Sequence, residues 1–145
     1  MIRRVVKEDR ITFCELVDEF YHTDAVLYPI PSEYIETTFE EITTSEVYAE
    51  GYLFEFESEV AGYALISKSF SQEAGGRVIW LEEVYIRPKF QGKGIGKEFF
   101  DYIEKKHQLK RLRLEVEYNN ERAIKMYEGL GYAALDYKQM VKEFD

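Results

Sequence analysis

The chain has 145 residues, a formal net charge of −9 at pH 7 and 46% hydrophobic residues, enough apolar material for one core in a single domain, residues 1–145. The acidic balance is unfavourable for binding a phosphate backbone, so we expect no nucleic-acid partner. No apolar run is as long as a membrane span, and the N-terminus lacks the apolar segment of a signal peptide. These features predict a cytoplasmic protein without a membrane partner.

The single cysteine and the two histidines narrow the chemistry further. Cys14 has no partner for an internal disulfide, and its place in an apolar helical pattern predicts a buried thiol. His22 and His107 lie far apart in the sequence, so no cluster of metal ligands is visible. We therefore expect no metal.

Hydrophobic periodicity predicts six elements in the first part of the chain. A short strand covers Ile2–Val6, and a helix follows the N-cap residue Asp9. A second helix begins at Ser32. Two strands flank the polar turn at residues 57–59, which is a hairpin signal, and another strand covers Arg77 to Ile86.

The remaining elements alternate between helix and strand. A helix begins at Gly94, a strand runs from Leu109 to Glu117, and a last helix from Asn120 to Leu130 stops at Gly131. A final strand is predicted at Ala133 to Val141. The full order, βααβββαβαβ, predicts an α/β fold with a mixed, mostly antiparallel sheet and helices on both faces.

Three glycines, Gly92, Gly94 and Gly96, lie where a strand gives way to a helix. Glycine lets the backbone approach a ligand closely, and the free N–H groups at a helix start attract an anion. The spacing fits neither the dinucleotide fingerprint nor the nucleotide-triphosphate loop, because Glu98 stands where the latter needs Ser or Thr. The pattern Gln91-x-x-Gly94-x-Gly96 therefore predicts another kind of phosphate site, with a plain structural turn as the alternative.

This pattern resembles the pyrophosphate loop of the GNAT (Gcn5-related) N-acetyltransferases, which hold acetyl-coenzyme A. Trp80 to Pro88 is similar to the central strand that precedes the loop in this family. The run Asn120-x-x-Ala123-x-x-x-Tyr127, closed by residues 130–132, resembles the family's second signature. The resemblance covers residues 80–132 and implies a GNAT fold, N-acetyltransferase activity and acetyl-coenzyme A as cosubstrate.

The resemblance also implies which residues hold the cosubstrate. In this family the central strand splays from its neighbour beside the loop, so its unpaired backbone groups bond the pantetheine arm and the thioester oxygen. For the side chains of Gln91, Lys93 and Lys97, exposure to solvent without a ligand contact is the alternative. The cofactor-binding residues predicted in this way are Val84, Tyr85, Ile86, Gln91, Gly92, Lys93, Gly94, Ile95, Gly96, Lys97 and Asn120.

Acetyl transfer to an amine needs a proton acceptor, because an ordinary ammonium has a pKa near 10.4, and a proton donor for the departing thiolate. By resemblance the donor is Tyr127; a packing role is its alternative. The candidates for the acceptor are Glu82, Glu83 and Glu115. Neighbouring strand residues point to opposite faces, so Glu82 and Glu83 cannot both face the site unless a bulge intervenes.

Two subfamilies favour different carboxylates among these candidates. The Leu-Glu-Glu run resembles the Leu-Glu-Asp of diamine acetyltransferases and makes Glu82 the first choice. Glu115 matches the acid of ribosomal-protein N-terminal acetyltransferases. A solvated surface carboxylate is the alternative for each, since the chain has 28 acidic residues.

The resemblance and the charge together predict a small-molecule amine as acceptor, in particular a cationic one such as a polyamine. Protein N-terminal or lysine acetylation is the alternative enzyme activity, and a non-catalytic acyl-coenzyme A sensor is the alternative of another class. The candidates for an aromatic wall that attracts a cation are Trp80, Tyr21, Tyr28 and Tyr34, with ordinary packing as the alternative. We also expect a homodimer, formed through sheet edges or the final strand ending at Phe144.

Overall fold

The structure, a computed structural model, describes residues 1–145 and divides into an N-terminal unit, Met1–Leu114, and a C-terminal unit, Glu115–Asp145. None of the helices has the length and hydrophobicity that crossing a membrane requires. The C-terminal unit contains one helix, α4 (Glu121–Gly129). The N-terminal unit contains β1 (Ile2–Arg4), α1 (Arg10–Tyr21), α2 (Ser32–Thr44), β2 (Ala49–Phe56), β3 (Glu59–Ser71), β4 (Gly76–Ile86), α3 (Ile95–Lys106) and β5 (Arg111–Leu114).

The five strands form one sheet in the order β1-β2-β3-β4-β5. Neighbouring strands are antiparallel except β4 and β5, which are parallel. Glu57 and Ser58 join β2 to β3 with φ values of 49° and 66°, as expected for a two-residue turn that matches the twist of a hairpin. The predicted mixed, mostly antiparallel sheet is confirmed.

Helices cover both faces of this sheet. On one face, α1 and α2 bury Phe13 and Phe39 in a core with Leu53 of β2 and Tyr63 of β3. On the other face, Phe99 of α3 packs against Tyr52 and Phe54, with ring centroids 5.6 and 5.2 Å away. Strand alternation places Leu53 and its two neighbours on opposite faces, so one strand supplies both cores.

Asp9 stands at the predicted N-cap of α1, but its side chain makes no cap hydrogen bond there. Its carboxylate instead accepts two hydrogen bonds from the Arg3 guanidinium, at 2.8 and 2.9 Å, and one from the Val6 N–H at 2.8 Å. The Arg3 hydrogen bonds, opposed by burial, hold the pKa of Asp9 below its ordinary value. Asp9 thus ties β1 to the start of α1.

The predicted final strand at Ala133 to Val141 is wrong. Residues 133–145 contain no helix or strand. A strand requires a neighbouring strand to pair with, and the C-terminal unit, taken by itself, contains only α4. The final strand therefore no longer supports the expected homodimer. Pairing through sheet edges is the argument that remains, and the homodimer stays a prediction.

Glu50 is the most buried charged side chain of the N-terminal unit, with a side-chain exposure of 4%. Its carboxylate accepts from the Tyr52 hydroxyl and lies 2.9 Å from Lys68 Nζ and 3.2 Å from Arg4 Nη1. His107, just beyond α3, places Nε2 at 3.4 Å. Burial alone would raise the pKa of Glu50, but these hydrogen bonds and positive charges bring it to about 2.

We expect Glu50→Gln to destabilise the protein by roughly 3–5 kcal/mol, because it leaves Arg4 and Lys68 around an uncharged buried group. Glu46→Gln is the control, since Glu46 also pairs with Arg4, at 3.0 Å, but from a side chain 75% exposed; we expect a loss below about 1 kcal/mol there. Denaturant unfolding measures both. Equal losses would contradict this account.

The destabilisation caused by Glu50→Gln should also depend on pH. A carboxylate with a lowered folded-state pKa stabilises the fold above its ordinary pKa and loses that contribution as it is protonated. The stability difference between the parent and Glu50→Gln should therefore shrink as the pH falls from 4.5 towards 2.

Candidate active site

A β-bulge in β4 brings the two adjacent glutamates to one face of the sheet. Leu65 of β3 pairs with Glu83, but the next residue of β3, Ile66, pairs with Leu81, so Glu82 is an extra residue in β4. The Glu82 carboxylate accepts a hydrogen bond from Ser67 Oγ at 2.6 Å. Ser67 and Leu65 share a face of β3, because side chains alternate along a strand. The exception foreseen for a bulge is therefore present.

Glu83 is held by two tyrosine hydroxyls. Tyr21, the last residue of α1, donates to one carboxylate oxygen at 2.5 Å, and Tyr63 of β3 donates to the other at 2.7 Å. Burial raises the pKa of Glu83, the two hydrogen bonds lower it, and the nearby charge of Glu82 raises it; the net direction is upward. A carboxylate with a raised pKa is a stronger base than an ordinary one and is typical of functional sites.

Glu82 has different surroundings from its neighbour. It is an exposed residue, whereas Glu83 is partly buried. The hydrogen bond from Ser67 fixes its position without neutralising its charge. This arrangement suits an electrostatic contact with a cation better than proton abstraction in a desolvated site.

The second half of β4 has a free edge on the β5 side within the N-terminal unit. β5 pairs with β4 only from Val78 to Leu81, while β4 continues to Ile86. On the opposite side of β4, Arg87 N donates to Ala61 O of β3 at 2.8 Å. In an antiparallel ladder every second residue directs its N–H and C=O groups to the same neighbour, so the backbone groups of Tyr85 also point towards β3. The backbone groups of Val84 and Ile86 therefore point to the free edge.

The glycine loop that follows β4 ends in a left-handed turn. Gly92 and Gly94 have φ values of 79° and 80°, a region that disfavours any other residue, and a Cβ added to either would meet nothing within 4 Å. Gly94 is the N-cap of α3, and the first intrahelical bond runs from Glu98 N to Gly94 O at 3.0 Å. The N–H groups of Ile95, Gly96 and Lys97 precede that bond and have no intrahelical partner.

The polar side chains of this loop differ in whether they contact other groups of the protein. Gln91 Nε2 donates to Ile86 O at 3.1 Å, which links the loop to the free edge of β4. Lys97 lies 3.0 Å from Asp101, one turn further along α3. Lys93 is exposed. An N-terminal helix end with open space before it and two lysines beside it is suited to a phosphate group.

The C-terminal unit contains the other predicted site residues. Asn120 is the N-cap of α4, where its side-chain oxygen accepts from Ala123 N at 3.3 Å. Tyr127 packs edge-on against Tyr132, with ring centroids 5.7 Å apart, and burial raises the pKa of its phenol. Glu115, the first residue of this unit, is exposed.

A model of the Acetyltransferase (GNAT) family matches residues 12–132, which include β4, the glycine loop and α4. The chain belongs to this family. The family match agrees with the resemblance seen in the sequence, and the five-stranded sheet with helices on both faces is the architecture that the resemblance implied.

Relatives of this GNAT protein include curated and structurally solved proteins. The spermine/spermidine N(1)-acetyltransferase of Bacillus subtilis (strain 168) is 28% identical over 100 residues, 61% of this chain and 66% of the relative, so the chain spans just under two thirds of its length. A possible acetyltransferase from Clostridium difficile 630 has a TM-score of 0.83 at 20% identity, covering 100% of this chain and 97% of the other.

A second solved structure contains a coenzyme A derivative. It is AAC(6')-Iy in complex with the bisubstrate analog CoA-S-monomethyl-acetylneamine, with a TM-score of 0.80 at 14% identity and coverage of 100% of this chain and 98% of that chain. At such low identity these two structures establish a shared fold for our GNAT chain.

The sequence does not predict that two tyrosines donate hydrogen bonds to Glu83. The sequence predicts only an aromatic wall for Tyr21 and no role in the site for Tyr63. Both contact Glu83 from 62 and 20 residues away in the chain, so no local pattern connects them. The signal that would find them is the bulge, which fixes the face on which Glu83 lies.

We expect Tyr21→Phe to raise the pKa of Glu83 further, because it removes a hydrogen bond to the ionised carboxylate while burial persists. Carbon-13 NMR titration of the glutamate carboxyl groups measures this. Tyr85→Phe is the matched control, since the Tyr85 hydroxyl lies 3.2 Å from Glu19 and not on Glu83. An unchanged Glu83 titration in Tyr21→Phe would overturn the assignment.

Proposed function

We propose that this GNAT protein transfers an acetyl group from acetyl-coenzyme A to a primary amine, and that the acceptor is a small cationic molecule such as a polyamine. The observation that carries the proposal is the pair Glu82 and Glu83 on one sheet face, next to the free edge of β4. The Bacillus relative, named for spermine and spermidine, supports an acceptor of this class. The match covers just under two thirds of that relative, so its substrates support the proposal only by analogy.

The glycine loop is proposed to hold the pyrophosphate of the cosubstrate. The backbone N–H groups of Ile95, Gly96 and Lys97 present three donors at the positive end of α3. A Cβ added at Gly92 or Gly94 would meet nothing within 4 Å, so the loop is open to a ligand, and their left-handed conformation favours glycine. Lys93 and Lys97 add positive charge from the side chains.

The free edge of β4 is proposed to hold the pantetheine arm and the reacting thioester, which supplies an electrophilic acetyl carbon when bound. Val84 and Ile86 direct their backbone groups to this edge, and Gln91 already occupies the Ile86 carbonyl. The Val84 carbonyl and the two N–H groups then remain for the ligand. A backbone N–H fixed in this way is suited to stabilising a developing oxyanion. Tyr85 contributes less than the sequence suggested, because its backbone faces β3.

Proton removal from the amine is assigned to Glu83. Its two tyrosine partners each occupy one lone pair, so each carboxylate oxygen keeps capacity to accept a proton, directly or through one water molecule. Glu82 is assigned to binding the ammonium form, because it is exposed and its hydrogen-bond partner, the Ser67 hydroxyl, is uncharged. The sequence-based preference for Glu82 as the base is thus replaced by a division of labour between the two.

Tyr127 is proposed to return a proton to the departing thiolate. Its spacing from Asn120 matches the family signature, and a phenol carries a proton that it can donate at neutral pH. Unchanged turnover in Tyr127→Phe would leave it a packing role. Glu115 remains the alternative base if the acceptor proves to be a protein N-terminus.

We expect saturating acetyl-coenzyme A to stabilise the parent protein, by roughly 2.7 kcal/mol at 100 times its dissociation constant, and Gly96→Asp to abolish this effect. An added Cβ at Gly96 lies 3.6 Å from Ile86 Cδ1, an ordinary contact, so the unliganded fold tolerates the change. An acidic side chain in the first turn is compatible with the helix dipole. Loss of the thermal shift would then report on the ligand site.

Gly96→Ala separates the effect of bulk from that of charge in the same experiment. We expect it to retain part of the thermal shift, because it adds a methyl group without a negative charge. An unchanged melting temperature of the parent with saturating cosubstrate would refute the proposed binding site. Cosubstrate binding without turnover on any amine or peptide would indicate a sensor instead of an enzyme.

We expect a diamine to have a higher kcat/KM than a matched monoamine, by up to about fivefold, since an exposed ion pair contributes up to about 1 kcal/mol. Added salt should reduce this preference. Glu82→Gln should remove it, whereas Glu83→Gln should lower kcat for both amines by a factor of about 10² or more. Steady-state assays at low and high ionic strength measure these effects.

Glu104→Gln, on the exposed side of α3, is the control for net charge and should behave as the parent. Equal rates for diamine and monoamine at every ionic strength would show that the acidic pair does not recognise substrate charge. Protein N-termini or neutral amines would then be the better acceptors to test.

A further inference from the structure

The face of the sheet that presents Glu82 and Glu83 also presents an aromatic side chain carrying a cation. Trp80 pairs in register with Ser67, the hydrogen-bond donor to Glu82, so the indole lies beside the acidic pair. Arg113 of β5 pairs in register with Trp80, and its guanidinium carbon lies 4.1 Å from the centroid of the Trp80 ring. Both residues belong to the N-terminal unit.

Arg113 is held by this stacking contact and not by an ion pair. Within the N-terminal unit no carboxylate pairs with it, whereas its strand neighbour Arg111 lies 3.6 Å from Glu73. Arg113 and Trp80 are both partly buried. A cation over the face of an indole is attracted by the ring, and this attraction is strongest for tryptophan.

The contact between Arg113 and Trp80 limits how far a polycation bound at Glu82 and Glu83 can extend along β4. An indole face beside two carboxylates would ordinarily be a good position for the remote ammonium of an acceptor. Arg113 already covers that face and adds a positive charge. Along β4, Trp80 lies two residues from Glu82, which is no more than about 7 Å, because the bulge at Glu82 interrupts the regular rise of the strand. An ammonium that reaches this position therefore meets repulsion where it would otherwise find attraction.

We propose that Arg113, stacked on Trp80, is a specificity-determining residue that excludes acceptors whose second ammonium reaches the indole. This inference rests on the proposed amine acetylation and narrows its substrate class to short diamines. Glu82 binds the remote charge of a short acceptor, and Arg113 sets the upper limit of length. The position it covers is a cation site that a neutral residue would open.

A series of α,ω-diamines of increasing chain length tests this directly. In the parent, kcat/KM should fall once the chain is long enough to reach Trp80. Arg113→Gln should raise kcat/KM for those long diamines by about two- to fivefold and leave short diamines and monoamines unchanged. Arg113→Lys keeps a cation over the ring and should retain the length limit. Arg111→Gln also removes one positive charge from β5, but away from the indole, and should behave as the parent.

Trp80 provides a readout that does not depend on turnover. It is the only tryptophan of the chain, so tryptophan emission reports on its surroundings alone. Long diamines should change this emission in Arg113→Gln and leave it unchanged in the parent. Identical length profiles in the parent and Arg113→Gln, with no diamine-dependent emission in either, would overturn the inference.

Two further outcomes are informative. If Arg113→Gln instead impairs amines that carry a carboxylate, Arg113 binds an anion and the inference is wrong. If the parent acetylates no amine at all, the proposed function fails, and the emission titration alone decides whether Trp80 binds a cation once Arg113 is removed.

Discussion

The extra residue at Glu82 is the constraint on which the arrangement of the site depends. Regular alternation would send Glu82 and Glu83 to opposite faces of the sheet, one towards α1 and α2 and the other towards α3. The bulge removes that conflict and directs both carboxylates to one face. Pairing with β5 also stops at Leu81, so the acidic pair and the free backbone edge begin at the same point of β4. A one-residue irregularity thereby places two carboxylates and the free backbone groups of β4 side by side.

Two buried or partly buried carboxylates show how surroundings decide the role of one residue type. Glu50 and Glu83 both lose solvent, which by itself raises the pKa of a carboxyl group. Glu50 is surrounded by Arg4, Lys68 and Lys106, and its pKa falls to about 2. Glu83 has only uncharged hydroxyl partners, and its pKa rises. Glu50 is therefore a charged structural anchor, whereas burial makes Glu83 a stronger base than an ordinary carboxylate.

The order of the elements and the glycine loop could be predicted from the sequence because their determinants are local. Apolar spacing, turn residues and the positions of Gly92 and Gly94 act over a few neighbouring residues. The hairpin turn at residues 57–59 and a last helix opening at Asn120 were predicted for the same reason. The family signature spans such local segments, so it too is visible in the chain.

The contacts that define the chemistry are nonlocal, and local patterns do not show them. Whether Glu82 and Glu83 share a face depends on the register between β3 and β4, and register is fixed by the whole sheet. The predicted strand at Ala133 to Val141 failed for a related reason, since alternation suggests a strand but does not supply its partner. Asp9 similarly has the right residue type for a helix cap, but its carboxylate accepts hydrogen bonds from Arg3 of β1 instead.

Local pairing, more than net charge, decides where an acidic protein attracts cations. Most basic side chains of the N-terminal unit are committed to carboxylates, as in the Arg87 contact with Glu19 and the Lys89 contact with Glu59. Glu82 and Glu83 accept only hydroxyl hydrogen bonds, so their charge is not neutralised in this way. Arg113, on the same face, is committed to an aromatic ring instead of a carboxylate. The face therefore keeps an acidic region and a cationic boundary beside it, and a net charge of −9 could not have revealed that polarity.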